Sequence, residues 1–241
     1  DHVHALLAKG FRHFKLGGPG TVVPPDSNYN LIGDHRYEPV VITGKVTGHG
    51  GVISEPAPVA RSVLLTFEHF RTAFGPGPAI LYDVHERLPP LQAFALAKDV
   101  EPFKPYFMED VFAPEDNEYF KLARQQTSTP IAMGELFSNP QEMVPIIKDR
   151  LIDFIRVHMS TIGGLTPARK LATLCETFNV RTAWHGSSDV SPVGFAANLM
   201  LDMHVWNFSI QEACAYLNIN PLLKELFPGV PEVRDGYMWP N

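Results

Sequence analysis

Cysteine is nearly missing from this chain: Cys175 and Cys214 are the two in 241 residues, and no CxxC spacing joins them. That speaks against a disulfide framework or a thiolate metal centre. It leaves two thiols in apolar surroundings, as a reducing cytoplasm would keep them. Basic runs are missing too. Lys and Arg total 20 against 26 Asp and Glu, for a net charge of −6, a balance that argues against nucleic acid or an anionic membrane as partner. No apolar stretch reaches bilayer length, and no leader or lipidation motif is visible. The expectation is a soluble, cytoplasmic protein acting on a small molecule.

With 45% hydrophobic residues, the chain can bury one sizeable core. From residue 76 onward it repeats a short apolar strand, a polar loop and an amphipathic helix. Strands are predicted at 11–16, 79–83, 104–109, 130–134, 153–157, 180–184 and 205–211, with helices at 59–74, 89–100, 116–125, 139–149, 165–177 and 192–203. A further helix-like segment runs from Asp1 to Lys9. Asn139-Pro140 and Thr166-Pro167 read as helix starts, each with a capping side chain before a first-turn proline. Strict alternation implies a parallel sheet with right-handed crossovers, hence an α/β fold of the TIM-barrel type treated as one domain over 1–241. Seven strands are one short of the eight that close such a barrel, and the chain opens mid-unit. The expectation is therefore an incomplete barrel from a longer polypeptide, lacking its first strand.

Three of the strands end in carboxylates: Asp83 in AILYD, Glu109 in PYFME and Glu135 in PIAMGE. The differences 109 − 83 and 135 − 109 are both 26 residues, one strand–helix–strand step. The three acids should then stand on neighbouring strand ends, on the rim where barrels of this kind gather catalytic groups. Converging oxygen ligands make a hard-cation site and favour Mg²⁺ over zinc. His85, two residues after Asp83, should share its face if the strand continues, and beside a metal it suits a general acid or base. Arg156, His185 and Glu212 end the later strands. Arg156 reads either as an ion pair to a ligand carboxylate or as a clamp on an anionic substrate. His185 leads into the polar run Gly186-Ser187-Ser188-Asp189. The Gly- and Pro-rich segment 17–58 follows the first strand and reads as a lid-like loop on the same rim. A hard cation, an arginine and two histidines together suit removal of a proton next to a carboxylate, because the cation steadies the charge that develops. Dehydration or reprotonation would follow.

In the order in which they stand, GFRHFK, YDVHERL, MEDVFAPEDNEYF, PIAMGELF, IDFIRVHMSTIGGLTPARK, RTAWHGSSDVSPVG and NFSIQE resemble the enolase superfamily in its mandelate racemase-like branch, within it the D-mannonate dehydratase group. The resemblance implies a Mg²⁺-dependent lyase that converts an aldonic acid such as D-mannonate to its 2-keto-3-deoxy product. Asp83, Glu109 and Glu135 would hold the metal, and His85 would protonate the departing 3-hydroxyl. Arg156, His185, Asp189 and Glu212, with Glu135, would contact the sugar acid. Related racemases carry Asp where Arg156 stands, so dehydration is favoured over racemisation. The family's first-strand Arg and loop Tyr, which act together as base, are matched here by Lys15 and Tyr29. Lys15 is open to two roles, a base lowered in pKa by desolvation or a structural cation beside the carboxylates. The family also implies an N-terminal capping domain and a homo-oligomer. The alternatives are a racemase, epimerase or other acid-sugar dehydratase of the superfamily, or a relative that binds without turnover.

Overall fold

A computed structural model describes residues 2–16, 29–30, 41–42, 56–86, 88–187, 190–213 and 221–240. They group into two compact units, His13–Ile131, and Asp1–Arg12 with Ala132–Asn241. Among them no helix is long and apolar enough to cross a membrane. Helix α1 (His2–Ala8) opens the chain.

The 13–131 unit is built on β1 (His13–Leu16), β4 (Ala79–Asp83) and β5 (Phe107–Glu109). Between the first two lie the short β2 (Tyr29–Asn30) and β3 (Val41–Ile42), paired antiparallel, and α2 (Pro56–Phe74). Helices α3 (Pro90–Asp99) and α4 (Asn117–Gln126) follow β4 and β5. Strands β1, β4 and β5 are parallel neighbours, with Lys15 opposite Leu81 and Asp83 opposite Glu109. β4 reads AILYD with its middle three residues buried, a continuous apolar run as expected of a parallel strand covered on both faces. α2 supplies that cover: Phe67 meets Tyr82 at 6.1 Å between ring centroids, and Phe70 meets Phe14 at 5.7 Å.

In the other unit β6 (Ile131–Met133), β7 (Phe154–Ile155) and β8 (Arg181–Thr182) are likewise parallel, with Met133 beside Ile155 and Ile155 beside Thr182. The helices are α5 (Pro140–Lys148), α6 (Leu165–Thr177) and α7 (Pro192–Asp202). α6 buries Ala168, Leu171, Ala172 and Cys175, a single 3.6-residue stripe. Burial pushes the Cys175 thiol up to about 12, so it is an inert core residue. Cys214 lies outside the described residues.

Two expectations about local structure need correction. Asn139 does cap α5, accepting from the Gln141 N–H at 3.0 Å, but α6 begins one residue before Thr166 with Gly164 as an N-cap that offers no side chain. The expected strand at 205–211 is one bridge, Phe208 beside Thr182, held by Thr182 N–H to Asn207 O and Ser209 N–H to Thr182 O. Trp206 within it is 92% exposed.

Helix α8 (Pro221–Leu226) and the hairpin β9 (Glu232–Arg234) and β10 (Tyr237–Trp239) complete this unit. Asp235 and Gly236 both have positive φ, 54° and 77°, the tight hairpin turn that an Asp-Gly pair favours. Gly10, also at positive φ, packs directly on the backbone of Asp235 and Gly236, and a Cβ on either glycine would collide with the other strand of chain.

Buried in the same unit, at the C-terminal end of α7, Asp202 has both carboxyl oxygens without a hydrogen-bond partner, and burial raises its pKa to about 8. The Trp184 indole N–H faces it closely enough to pull the value down slightly, though neither group completes a hydrogen bond. The folded protein therefore holds this proton where the unfolded chain has released it, so stability falls as pH rises from about 4 to about 8 and is level above. Asp202→Asn removes that slope. Its unfolding free energy should gain on the parent's by on the order of 1 kcal/mol per pH unit across the window, which urea melts at several pH values would read. A constant gap between the two proteins would refute it.

Candidate active site

The register that places Asp83 beside Glu109 sets two carboxylates at the C-terminal ends of adjacent strands, where the 26-residue spacing puts them. The strands stop there. The next residues turn into the left-handed region, His85 at φ 55°, Glu86 at 50° and Asp110 at 44°, and two cross-links hold the turns together: Val84 N–H to Glu109 O and Glu86 N–H to Asp110 O. Non-glycine residues at such angles are strained by of order 1–3 kcal/mol each, and they concentrate at functional sites.

This corrects the reason for placing His85 but keeps its place. It does not continue β4, yet a ring nitrogen still comes within 4.8 Å of the Asp83 carboxylate, and Glu86 lies 3.9 Å from its Nδ1. Asp110 was not expected at all. It is fully buried, and its carboxylate groups with those of Asp83 and Glu109 so that all three donor oxygens lie within 4.8 Å of one another. The left-handed turn brings it back beside its predecessor, whereas an extended strand would have sent it to the opposite face. Lys15 on β1 completes this set, its Nζ 3.1 Å from Asp83 Oδ2 and 3.0 Å from Glu109 Oε2.

The other unit carries a second set. Arg156 follows β7 and is 2% exposed; its Nη1 donates to Ala183 O at 2.9 Å and its Nη2 to Glu212 Oε2 at 2.7 Å. One ion pair of Arg156 is thus made with Glu212. Glu212 Oε2 also accepts from the Gly186 N–H at 2.9 Å. Gly186 sits under the Glu212 carbonyl so tightly that any Cβ would overlap it, which fixes glycine at this place.

His185 Nδ1 lies 3.2 Å from Glu135 Oε2 and 3.8 Å from Glu212 Oε2. Burial lowers the pKa of its imidazole and Arg156 pulls the same way. Contact with Glu135 and the charges of Glu212 and Glu135 outweigh both, so the net shift is upward and favours the imidazolium. The main-chain oxygen of His185 is held by the buried Asn198 amide at 3.1 Å. His158, another residue the sequence did not single out, stacks its ring 5.2 Å from that of His185 and pairs with Ser160 Oγ at 3.0 Å. It stands two residues after Arg156, the same offset that drew notice to His85. Asp189 lies outside the described residues, as does most of the segment 17–58; of Tyr29 only the backbone, in β2, is described.

The chemical content of the first set is plain. Three carboxylates and one ammonium leave two negative charges in a partly buried cluster of hard oxygen donors, which fits a hard divalent cation and not a soft one.

Comparison with known proteins agrees with this. The family described as Enolase C-terminal domain-like matches residues 1–241. A D-galactonate dehydratase family member from Musicola paradisiaca is 43% identical over all of this chain and 58% of its own length, and one from a Paenibacillus species is 45% identical over 56% of its length. This chain therefore spans somewhat over half the length of the curated relatives it matches. A crystal structure of an enolase from Pantoea ananatis, with bound D-gluconate and Mg, has a TM-score of 0.84 and 40% identity, covering 99% of this chain and 58% of that one. A mandelate racemase/muconate lactonizing enzyme from a Jannaschia species, at 23% identity and a TM-score of 0.75, shares the fold. The parallel α/β repeat, the acids on its strand ends and a match over the whole chain lead to one statement: this chain belongs to the enolase C-terminal domain-like family.

Proposed function

We propose that the protein is a Mg²⁺-dependent sugar-acid dehydratase, acting on a six-carbon aldonic acid such as D-mannonate or D-gluconate. The observation that carries the proposal is the register pairing of Asp83 with Glu109, two strand-end carboxylates joined by the buried Asp110. Support comes from the relative that binds D-gluconate and Mg. Asp83 and Glu109, with Glu135 as the family resemblance implies, would hold the cation. When bound, it would stabilise negative charge developing on the substrate carboxylate.

The chain's own groups then divide the work. Arg156 is already committed to Glu212 and Ala183. Its part in substrate binding is therefore to fix the Glu212 carboxylate as an acceptor for sugar hydroxyls, leaving direct contact to Glu212, His185 and Asp189. His185, beside Glu135 and Glu212, donates a hydrogen bond to the substrate from its ring N–H. The proton on C2 leaves to a base from the first-strand and loop region, Lys15 or Tyr29. The C3–O bond breaks as His85 gives its proton to the hydroxyl, so water departs, and the enol left behind tautomerises to the 2-keto-3-deoxy acid.

Incubating the full-length protein with Mg²⁺ and the stereoisomeric hexonates, and assaying for 2-keto-3-deoxy acid, tests this directly. Turnover of one or two isomers is expected. No keto product from any of them, or exchange of the C2 proton with solvent deuterium without loss of water, would overturn it.

A further inference from the structure

We infer that Lys15 is the resident counter-ion of the metal site, and that a divalent cation binds by displacing it. The inference rests on the metal-site reading above and adds a second occupant for the same oxygens.

Its Nζ lies 3.0 Å from Glu109 Oε2 and 3.1 Å from Asp83 Oδ2, so one ammonium bridges the two strand-end carboxylates. An ammonium and a divalent cation compete for these two oxygens, because each weakens the other's attraction at close range with little water between to screen it. The structure indicates which of the groups yields. Asp83 and Glu109 are fixed by strand register, with the Glu109 side chain at 0% exposure, and Asp110 beside them is fully buried. Lys15 reaches them on a flexible four-carbon stem and is 32% exposed, so its ammonium has water at hand.

The arrangement also accounts for how such a cluster persists in the metal-free protein. Three carboxylates within 4.8 Å repel one another, and two of them are fully buried. Without a cation they would either take up protons or force the turns after β4 and β5 apart. Lys15 supplies that cation from the chain itself. The cost falls on metal affinity, since two close ion pairs must break before the metal settles. Lys15 thereby holds the carboxylates together before a metal arrives and opposes its binding, whichever group serves as base.

Calorimetric titration of metal-stripped, full-length protein with Mg²⁺ tests this without reference to turnover. Lys15→Met keeps the stem and removes the charge. It should bind Mg²⁺ roughly tenfold or more tightly than the parent, while its metal-free form melts at lower temperature. Lys15→Arg keeps the charge and should bind within a few-fold of the parent. The parent offers a reading that needs no variant: reductive methylation of Lys15, followed by mass spectrometry of its peptide, should rise when Mg²⁺ saturates the site, and it decides the matter if Lys15→Met does not fold. Equal affinity in parent and Lys15→Met, or labelling indifferent to Mg²⁺, overturns the inference while leaving the metal site standing. No Mg²⁺ binding by the parent or by Lys15→Met overturns both.

Discussion

Glu109→Gln is expected to abolish measurable Mg²⁺ binding and to lower kcat/KM for the sugar acid by roughly a thousandfold or more. The substitution is nearly isosteric, so the fully buried side chain can keep its place. What changes is charge. Glu109 stands beside Asp83 in register and within 4.8 Å of Asp83 and Asp110, so its loss removes one of three ligand charges and leaves Lys15 paired with a weaker set. Charge stabilisation by a divalent cation is worth several kcal/mol in reactions of this class, and about 4 kcal/mol corresponds to a thousandfold in rate. Calorimetry and steady-state kinetics on the same preparation check it, with circular dichroism to show that the fold is intact. Retention of the parent's Mg²⁺ affinity would remove Glu109 from the metal site and take the dehydratase mechanism with it.

The second large effect is on stability. Arg156→Met should cost about 3–5 kcal/mol, the usual penalty for leaving one member of a buried ion pair alone. Among the described residues Arg156 is the second largest fully buried side chain, and it ties Glu212 Oε2 to the main chain at Ala183. Without it Glu212 retains the Gly186 N–H and the His185 ring 3.8 Å away, too little to offset a desolvated charge. Urea unfolding would read the loss. The double variant Arg156→Met, Glu212→Gln should recover much of it, because the stranded charge goes with its partner. A single variant as stable as the parent would mean that Glu212 reaches water or another cation. Arg156→Lys should also be poor, since an ammonium lacks the planar fork that reaches Ala183 O with one nitrogen and Glu212 with the other.

Much of this architecture was legible because the period was regular. Equal 26-residue steps between Asp83, Glu109 and Glu135 state the strand–helix repeat, and the first step is realised as a direct register pair. The six helices predicted between strands all form, with ends shifted by a few residues. Misreadings arose where a rule about regular structure was carried past the end of an element. Period-two alternation placed His85 beside Asp83 for the wrong reason and hid Asp110, because the backbone after both strands turns left-handed. VWNFSIQ has strand composition, but it pairs with β8 by a single bridge, at Phe208, and side-chain hydrogen bonds hold the rest. Two signals were present and unread: Asp235-Gly236, a hairpin pair between Glu232–Arg234 and Tyr237–Trp239, and His158 at the same two-residue offset from Arg156 that His85 has from Asp83. The partner of Arg156 could not be read, because Glu212 lies 56 residues away and nothing local marks it.

The contact of Gly10 with Asp235 and Gly236 governs the order in which this chain is able to fold on the ribosome. The unit that contains it is split, residues 1–12 being made before the other unit, His13–Ile131, and the remainder after it, whereas that other unit is contiguous. The contiguous unit can close as soon as it emerges. The split one must hold α1 unpartnered while 236 − 10 = 226 further residues are synthesised, and then closes a loop whose entropy alone is about 5 kcal/mol. Slow synthesis of residues 132–241, or a chaperone that shelters α1 until they emerge, would therefore change the yield of this split unit more than similar events within residues 13–131.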